Sequence, residues 1–99
     1  MSKAQAPPTE RWHLRLYVAD QTPASVAAVI NLKHLCKTYL PGRSQIELID
    51  LLENPKRAVR DQITALPTLL LTRPQPIRRI IGDLSNEARV LAGLHLKAA

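Results

Sequence analysis

Ala65-Leu66-Pro67-Thr68-Leu69-Leu70-Leu71-Thr72-Arg73-Pro74-Gln75-Pro76-Ile77-Arg78-Arg79-Ile80-Ile81-Gly82-Asp83-Leu84-Ser85 is the segment whose reading decides the fold. Two short apolar runs, Thr68 to Thr72 and Ile77 to Ile81, flank a turn at Arg73 to Pro76, which is the pattern of adjacent strands in a hairpin. Pro67, Pro74 and Pro76 each lack a backbone donor and fix φ, so all three belong at strand ends or turns, and each X-Pro bond has an accessible cis form.

Upstream, Trp12 to Ala19 alternates, with Trp12, Leu14, Leu16 and Val18 on one face and His13, Arg15 and Tyr17 on the other, which predicts a strand. Thr22-Pro23 is a helix start, because the hydroxyl can hold an orphan amide and proline suits the first helical position. The helix is expected to run to about Tyr39, with Val26, Val29, Ile30, Leu32, Cys36, Tyr39 and Leu40 as its apolar stripe and Asn31, His34, Lys37 and Thr38 wet. Leu40-Pro41-Gly42 ends it. Gln45 to Leu52 carries only Glu47 and Asp50 among apolar residues, which predicts a strand buried on both faces of a partly parallel sheet and a right-handed crossover.

Asn54-Pro55 predicts a second, short helix to about Ile63, anchored by Ala58, Val59 and Ile63 and carrying Lys56, Arg57 and Arg60 outward. So few anchors make it depend on tertiary packing. After the hairpin, a third helix is expected over Asn86 to Lys97, capped by Ser85 and burying Leu84, Ala88, Leu91 and Leu94. Gly93 inside it costs roughly 1 kcal/mol relative to Ala. Met1 to Arg11, with Pro7 and Pro8, is expected to be a flexible arm before one domain over 12–99. The order is β-α-β-α-β-β-α, a single α/β domain.

The chain has 99 residues and a net charge of +6, with no Phe and only Trp12, Tyr17 and Tyr39 as aromatics, so the core is expected to be aliphatic. The basic residues are scattered from Lys3 to Lys97 and the aromatics are too few for a base-stacking platform, which disfavours nucleic acid as a partner. Cys36 is the single cysteine, which rules out an internal disulfide, a Cys-x-x-Cys pair and a thiolate zinc cluster. With no apolar run near the ~20 residues of a membrane span and no apolar signal core, a cytoplasmic location is expected.

The element order resembles the thioredoxin-like fold, with Leu66-Pro67-Thr68 where such folds carry a cis proline. The loop that holds the two cysteines of thioredoxins here reads Asp20-Gln21-Thr22-Pro23-Ala24-Ser25. More specifically, Leu16-Tyr17-Val18-Ala19, Thr22-Pro23 with Ser25, Ile49-Asp50, Asn54-Pro55 and above all Pro76-Ile77-Arg78-Arg79-Ile80-Ile81-Gly82-Asp83-Leu84-Ser85 resemble the KaiB family of clock proteins. The resemblance runs from about Leu14 to Leu96. It implies a non-catalytic protein without cofactor that binds a KaiC-type ATPase ring and opposes the stimulation of its phosphorylation. A KaiA-like protein and a clock histidine kinase are further partners that it implies, and the homo-oligomer would be a dimer or tetramer.

It also implies two packings of the C-terminal half, for which Pro67, Pro74, Pro76, Gly93 and His95 are the candidate positions. Three departures from the family pattern are Asp20-Gln21 for Gly-Asn, Leu66 for Thr, and His95 for an acidic residue; the acidic C-terminal tail of cyanobacterial members is missing too. The alternative function is a stand-alone thioredoxin-like adaptor acting with a histidine kinase and without a clock role. Since the chain ends without a kinase segment, such an adaptor would act alone or in competition.

Lys56, Arg57 and Arg60 form the most compact basic group and are the candidate contacts to an acidic partner, together with Arg78 and Arg79. Adjacent strand residues point to opposite faces, so Arg78 and Arg79 cannot cradle one anion, and the plainer reading has one covering the sheet and the other solvated. Asp50 and Asp83 fall at strand ends, where capping is commoner than acid-base work. His13, His34 and His95 lie on separate elements without a ligand pair spaced i,i+4. Ser25 and Cys36 lack a neighbouring histidine or a glycine elbow, so neither reads as a nucleophile. No catalytic, cofactor or metal site is expected.

Overall fold

The computed structural model describes residues 10–96. Its elements follow in the order β1 (Trp12–Val18), α1 (Pro23–Tyr39), β2 (Ser44–Asp50), α2 (Pro55–Arg60), β3 (Thr68–Arg73), β4 (Arg78–Ile81) and α3 (Glu87–Leu94). This is the β-α-β-α-β-β-α order read from the sequence. The strands form one sheet in the order β2-β1-β3-β4, with β1 and β2 parallel and the β1–β3 and β3–β4 pairs antiparallel. Most of the expected arm lies outside the described residues, as does Lys97.

Alternation along β1 and β3 divides the core between the two sheet faces. Leu14, Leu16, Leu69 and Leu71 belong to the larger cluster with Leu32, Leu35 and Cys36 of α1 and Val90, Leu91 and Leu94 of α3. Tyr17 and Leu70 belong to a smaller one with Ile49, Leu51 and Ile63. Tyr17 shares the face of His13 and Arg15, as expected, yet it is fully buried because α2 and the turn after it close over it.

The strand buried on both faces is β3, not β2. β2 lies at the sheet edge, and of its apolar residues only Ile49 is buried, while Ile46 is half-buried and Leu48 exposed. A continuous apolar run therefore did not mark a central strand here, because α1 leans over β1 and β3 and leaves the outer strand uncovered. α1 also turns differently from the expected stripe. Ser25, Ala28, Leu32, Leu35 and Cys36 face inward, whereas Val26 and Ile30 are exposed. Asn31, expected in solvent, donates its amide to the Asp83 carbonyl at 2.8 Å, and the Tyr39 hydroxyl donates to Glu87. Both bonds hold α1 toward the α3 end of the molecule.

The predicted Thr22 cap forms, its Oγ1 accepting from the Ser25 amide. The cap of α3 is Asn86, one residue beyond the expected Ser85, with its side chain accepting from the Arg89 amide at 3.1 Å. The Ser85 amide is already taken by the Asp83 carboxylate at 3.0 Å, an Asx-type turn that moves the helix start along by one. Val90 takes the buried place expected for Ala88, which is exposed. α3 ends at His95, which is left-handed at φ 59 and returns its amide to the last turn.

A Cβ on Gly93 would stand 2.9 Å from Ile80 Cδ1 and 3.1 Å from Ile80 Cγ1. In the wild-type background we expect Gly93→Ala to change stability by less than about 1 kcal/mol, crowding offsetting the gain in helix propensity. Combined with Ile80→Val, which removes Cδ1, the same change should stabilise by about 0.5–1 kcal/mol relative to Ile80→Val alone. Thermal melts of the four proteins check this.

Candidate functional site: an arginine-rich face beside the second helix

α2 contributes no buried residue, and Val59, expected as an anchor, is 83% exposed. Asn54 forms no side-chain cap bond, and Ile63 is buried only beyond the helix end, which comes at Arg60. Ala58 is half-buried against the cluster of Tyr17 and Ile63, and the remaining fastenings of this segment are polar. Asp61, directly after α2, has a side chain only 9% exposed and accepts the Tyr17 hydroxyl at 2.6 Å, Arg57 Nε at 3.2 Å and Arg60 Nε at 2.9 Å. Arg15 Nη1 lies 3.9 Å from the same carboxylate. From β4, Arg79 donates to the Gln62 carbonyl at 2.6 Å and approaches the Asp61 carbonyl at 3.4 Å.

The sheet register brings these groups together. Glu47 of β2 is the partner of Arg15 on β1, and Arg15 of Leu70 on β3, which in turn pairs with Arg79 of β4. One cross-strand row therefore carries Glu47, Arg15, Leu70 and Arg79 on the α2 side. The Arg60 bond, against the cost of burial and with help from Tyr17 and Arg57, holds the Asp61 carboxyl far below the ordinary carboxylate range. Burial first, and then the bond to Asp61, pushes the Tyr17 phenol up.

Of the candidate contacts, Lys56, Arg57, Arg60 and Arg79 gather on or beside this face. Lys56 is exposed. Arg57 does not simply point outward: it is half-buried, bonded to Asp61 and within 3.6 Å of Glu47. Arg60 is exposed but bonded to Asp61. Arg78 pairs with Leu71, on the opposite face from Arg79, as adjacency required. Arg78 is half-buried, in keeping with the plainer reading of one arginine covering the sheet, and Arg79 is exposed but bonded to the turn after α2. Asp61 and Tyr17 were the residues missed by sequence reading. The signal was weak: a carboxylate four residues after Arg57 on a short basic helix.

Pro67, Pro74 and Pro76 stand at the ends of β3 and before β4, and all three peptide bonds preceding them are cis. Gly93 and His95 lie on the other side of the sheet, in α3 and at its end. In the loop that holds cysteines in thioredoxins, Ser25 is buried, its Oγ accepting from the Ala19 amide at 3.1 Å and from the Thr22 hydroxyl at 2.8 Å. Asp50 accepts the Leu52 amide at 2.9 Å, a turn role like that of Asp83. Burial pushes the Cys36 thiol up, so it is poorly suited to act as a thiolate. No group of three or more His, Cys, Asp or Glu residues could hold a metal ion among the described residues, and no described helix is long and apolar enough to cross a membrane.

A family model described as the KaiB domain matches residues 15–96. A circadian clock oscillator protein KaiB from Acaryochloris marina is 49% identical over 83 residues, covering 84% of this chain and 80% of the relative. One from Prochlorococcus marinus is 46% identical over 89 residues, covering 90% and 76%. Among solved structures, the N-terminal domain of Synechococcus elongatus SasA superposes with a TM-score of 0.69 at 18% identity, covering 100% of this chain and 97% of that one. Oxidised mitochondrial thioredoxin 3 from Saccharomyces cerevisiae gives 0.69 at 20% identity, covering 90% and 82%. At such identities these two likenesses establish the thioredoxin-like fold.

Proposed function

The chain belongs to the KaiB family, and on that premise we propose that it is a non-catalytic regulator that docks on a KaiC-type ATPase ring and modulates its phosphorylation state. The observation that carries the reading is the cationic face beside α2. Lys56, Arg57, Arg60, Arg15 and Arg79 gather on or beside it, and Glu47 and Asp61 are the carboxylates that pair with arginines there among the described residues. Such a surplus steers and orients an acidic partner. The regulator acts in the thioredoxin-like form and exchanges with a second packing of its C-terminal half in a resting homo-oligomer. A KaiA-like protein or clock histidine kinase joins or competes at the ring.

Native mass spectrometry with the KaiC-type ATPase of the same source and ATP, followed over hours, tests this. Ring-bound protein should accumulate slowly while free oligomer declines. Alanine at Lys56, Arg57 and Arg60 together should weaken binding at least about tenfold, or ~1.4 kcal/mol. Lys56→Glu, at a position in no ion pair among the described residues, should weaken it without disturbing the Asp61 network. Unchanged binding of both variants removes this face from the interface. No binding by the wild type under any nucleotide condition favours the adaptor reading, which capture by a histidine kinase would then support.

A further inference from the structure

Two carboxylates share the same pair of guanidiniums, and their situations are opposite. Asp61 approaches Arg15 and Arg57 from the protein side, is nearly buried, and is tied in addition to Tyr17 and Arg60. Glu47 approaches from the solvent side. Its Oε1 is 3.3 Å from Arg15 Nε and its Oε2 is 3.6 Å from Arg57 Nη1, and its side chain is 53% exposed. These two ion pairs are its only side-chain partners among the described residues.

The consequence is a forked cationic slot whose floor is fixed and whose outer occupant is loosely held. Asp61 bonds Arg57 at 3.2 Å and attracts Arg15 at 3.9 Å from below, so part of the side-chain freedom is already lost before a carboxylate is received from above. Glu47 itself gains little net stability there, because exposed pairs are weakened by solvent and by the ordering of their side chains. We propose that Glu47 fills, in the free protein, a carboxylate slot between Arg15 and Arg57 that an acidic side chain of the partner takes over on binding. Glu47 is thus a built-in competitor that tunes affinity. This rests on the docking reading for the identity of the partner, but the slot itself does not.

The experiment measures binding of wild type, Glu47→Gln, Arg15→Ala with Glu47→Gln, and Glu53→Gln to two probes, poly-L-glutamate and the KaiC-type ring. Glu53→Gln makes the same change in net charge at an exposed turn. With polyglutamate at low salt, Glu47→Gln should bind about three- to tenfold tighter than wild type, the scale of one or two exposed ion pairs. The gain should shrink as salt is raised and vanish when Arg15 is also removed. Equal gains from Glu53→Gln, no gain from Glu47→Gln, or a gain that survives loss of Arg15 would each overturn the slot. If polyglutamate shows the expected pattern and the ring does not bind at all, the slot stands and the proposed partner falls.

Discussion

Asp61→Asn should lose about 2 kcal/mol of folding stability near pH 7 and Asp61→Ala about 3 kcal/mol, the largest effects expected from any single polar substitution in this chain. The carboxylate is nearly buried and serves the Tyr17 hydroxyl and two arginines at hydrogen-bond distance, with Arg15 at 3.9 Å. Its removal leaves the Tyr17 hydroxyl and the partly covered Arg57 guanidinium without their acceptor, and the exposed Arg60 without its pair. Asparagine still accepts from Tyr17 but lacks the charge, which is why it should cost less.

The pH dependence has a definite sign. Asp61 titrates in the native protein far below its ordinary value of 3.8, so its contribution is complete above that value and is lost as pH falls through and beneath it. The gap between wild type and Asp61→Asn, read from urea midpoints, should therefore be full near pH 7 and narrow steadily below about pH 4. Tyr17 acts at the other end. Its phenol is raised above the ordinary 10.0, so the stability it adds through its proton is present below that value and is lost as pH rises past it. A gap that stays constant into acid would mean that the carboxylate acts by shape rather than by charge.

The charge network also explains what could be read from the sequence and what could not. Element order followed from local signals: alternation at Trp12 to Val18, Thr22 before Pro23, and prolines fencing the hairpin at Pro67, Pro74 and Pro76. Each of these is decided within a few residues. The Asp61 hub is different, since Tyr17 lies 44 residues away and Arg79 reaches the turn from 17 residues away. No spacing rule links such positions before the sheet register is known. The same holds for the cap of α3, where Ser85 and Asn86 are both good caps and the choice is made by the Asp83 turn. Of the basic residues on α2, their proximity was legible, but the inward commitment of Arg57 to Asp61 was not, because Asp61 is drawn in by Tyr17 from another strand.

Burial of β2 is the clearest case of a pattern overruled by position, and a matched pair of substitutions measures it. Leu16 on β1 and Leu48 on β2 are register partners and share one sheet face. Leu16 is 1% exposed against α1 and the neighbouring strands, whereas Leu48 is 55% exposed at the edge. Leu16→Ala should cost about 3–4 kcal/mol, because the methyl groups leave both their apolar surroundings and a cavity that a sheet flanked by helices cannot close. Leu48→Ala should cost less than about 1 kcal/mol, since most of the side chain is already in water and no cavity forms. Urea denaturation at one pH suffices for both. Leu48 lies with the exposed Val26 and Ile30 beside a strand edge that carries no pairing partner among the described residues, so its apolar character is not explained by packing among them. Near-equal losses for the two leucines would mean that the edge strand is covered in solution, by another copy or by a different packing of the chain. A difference of about 2 kcal/mol or more would mean that the edge is as open in solution as its position in the sheet makes it.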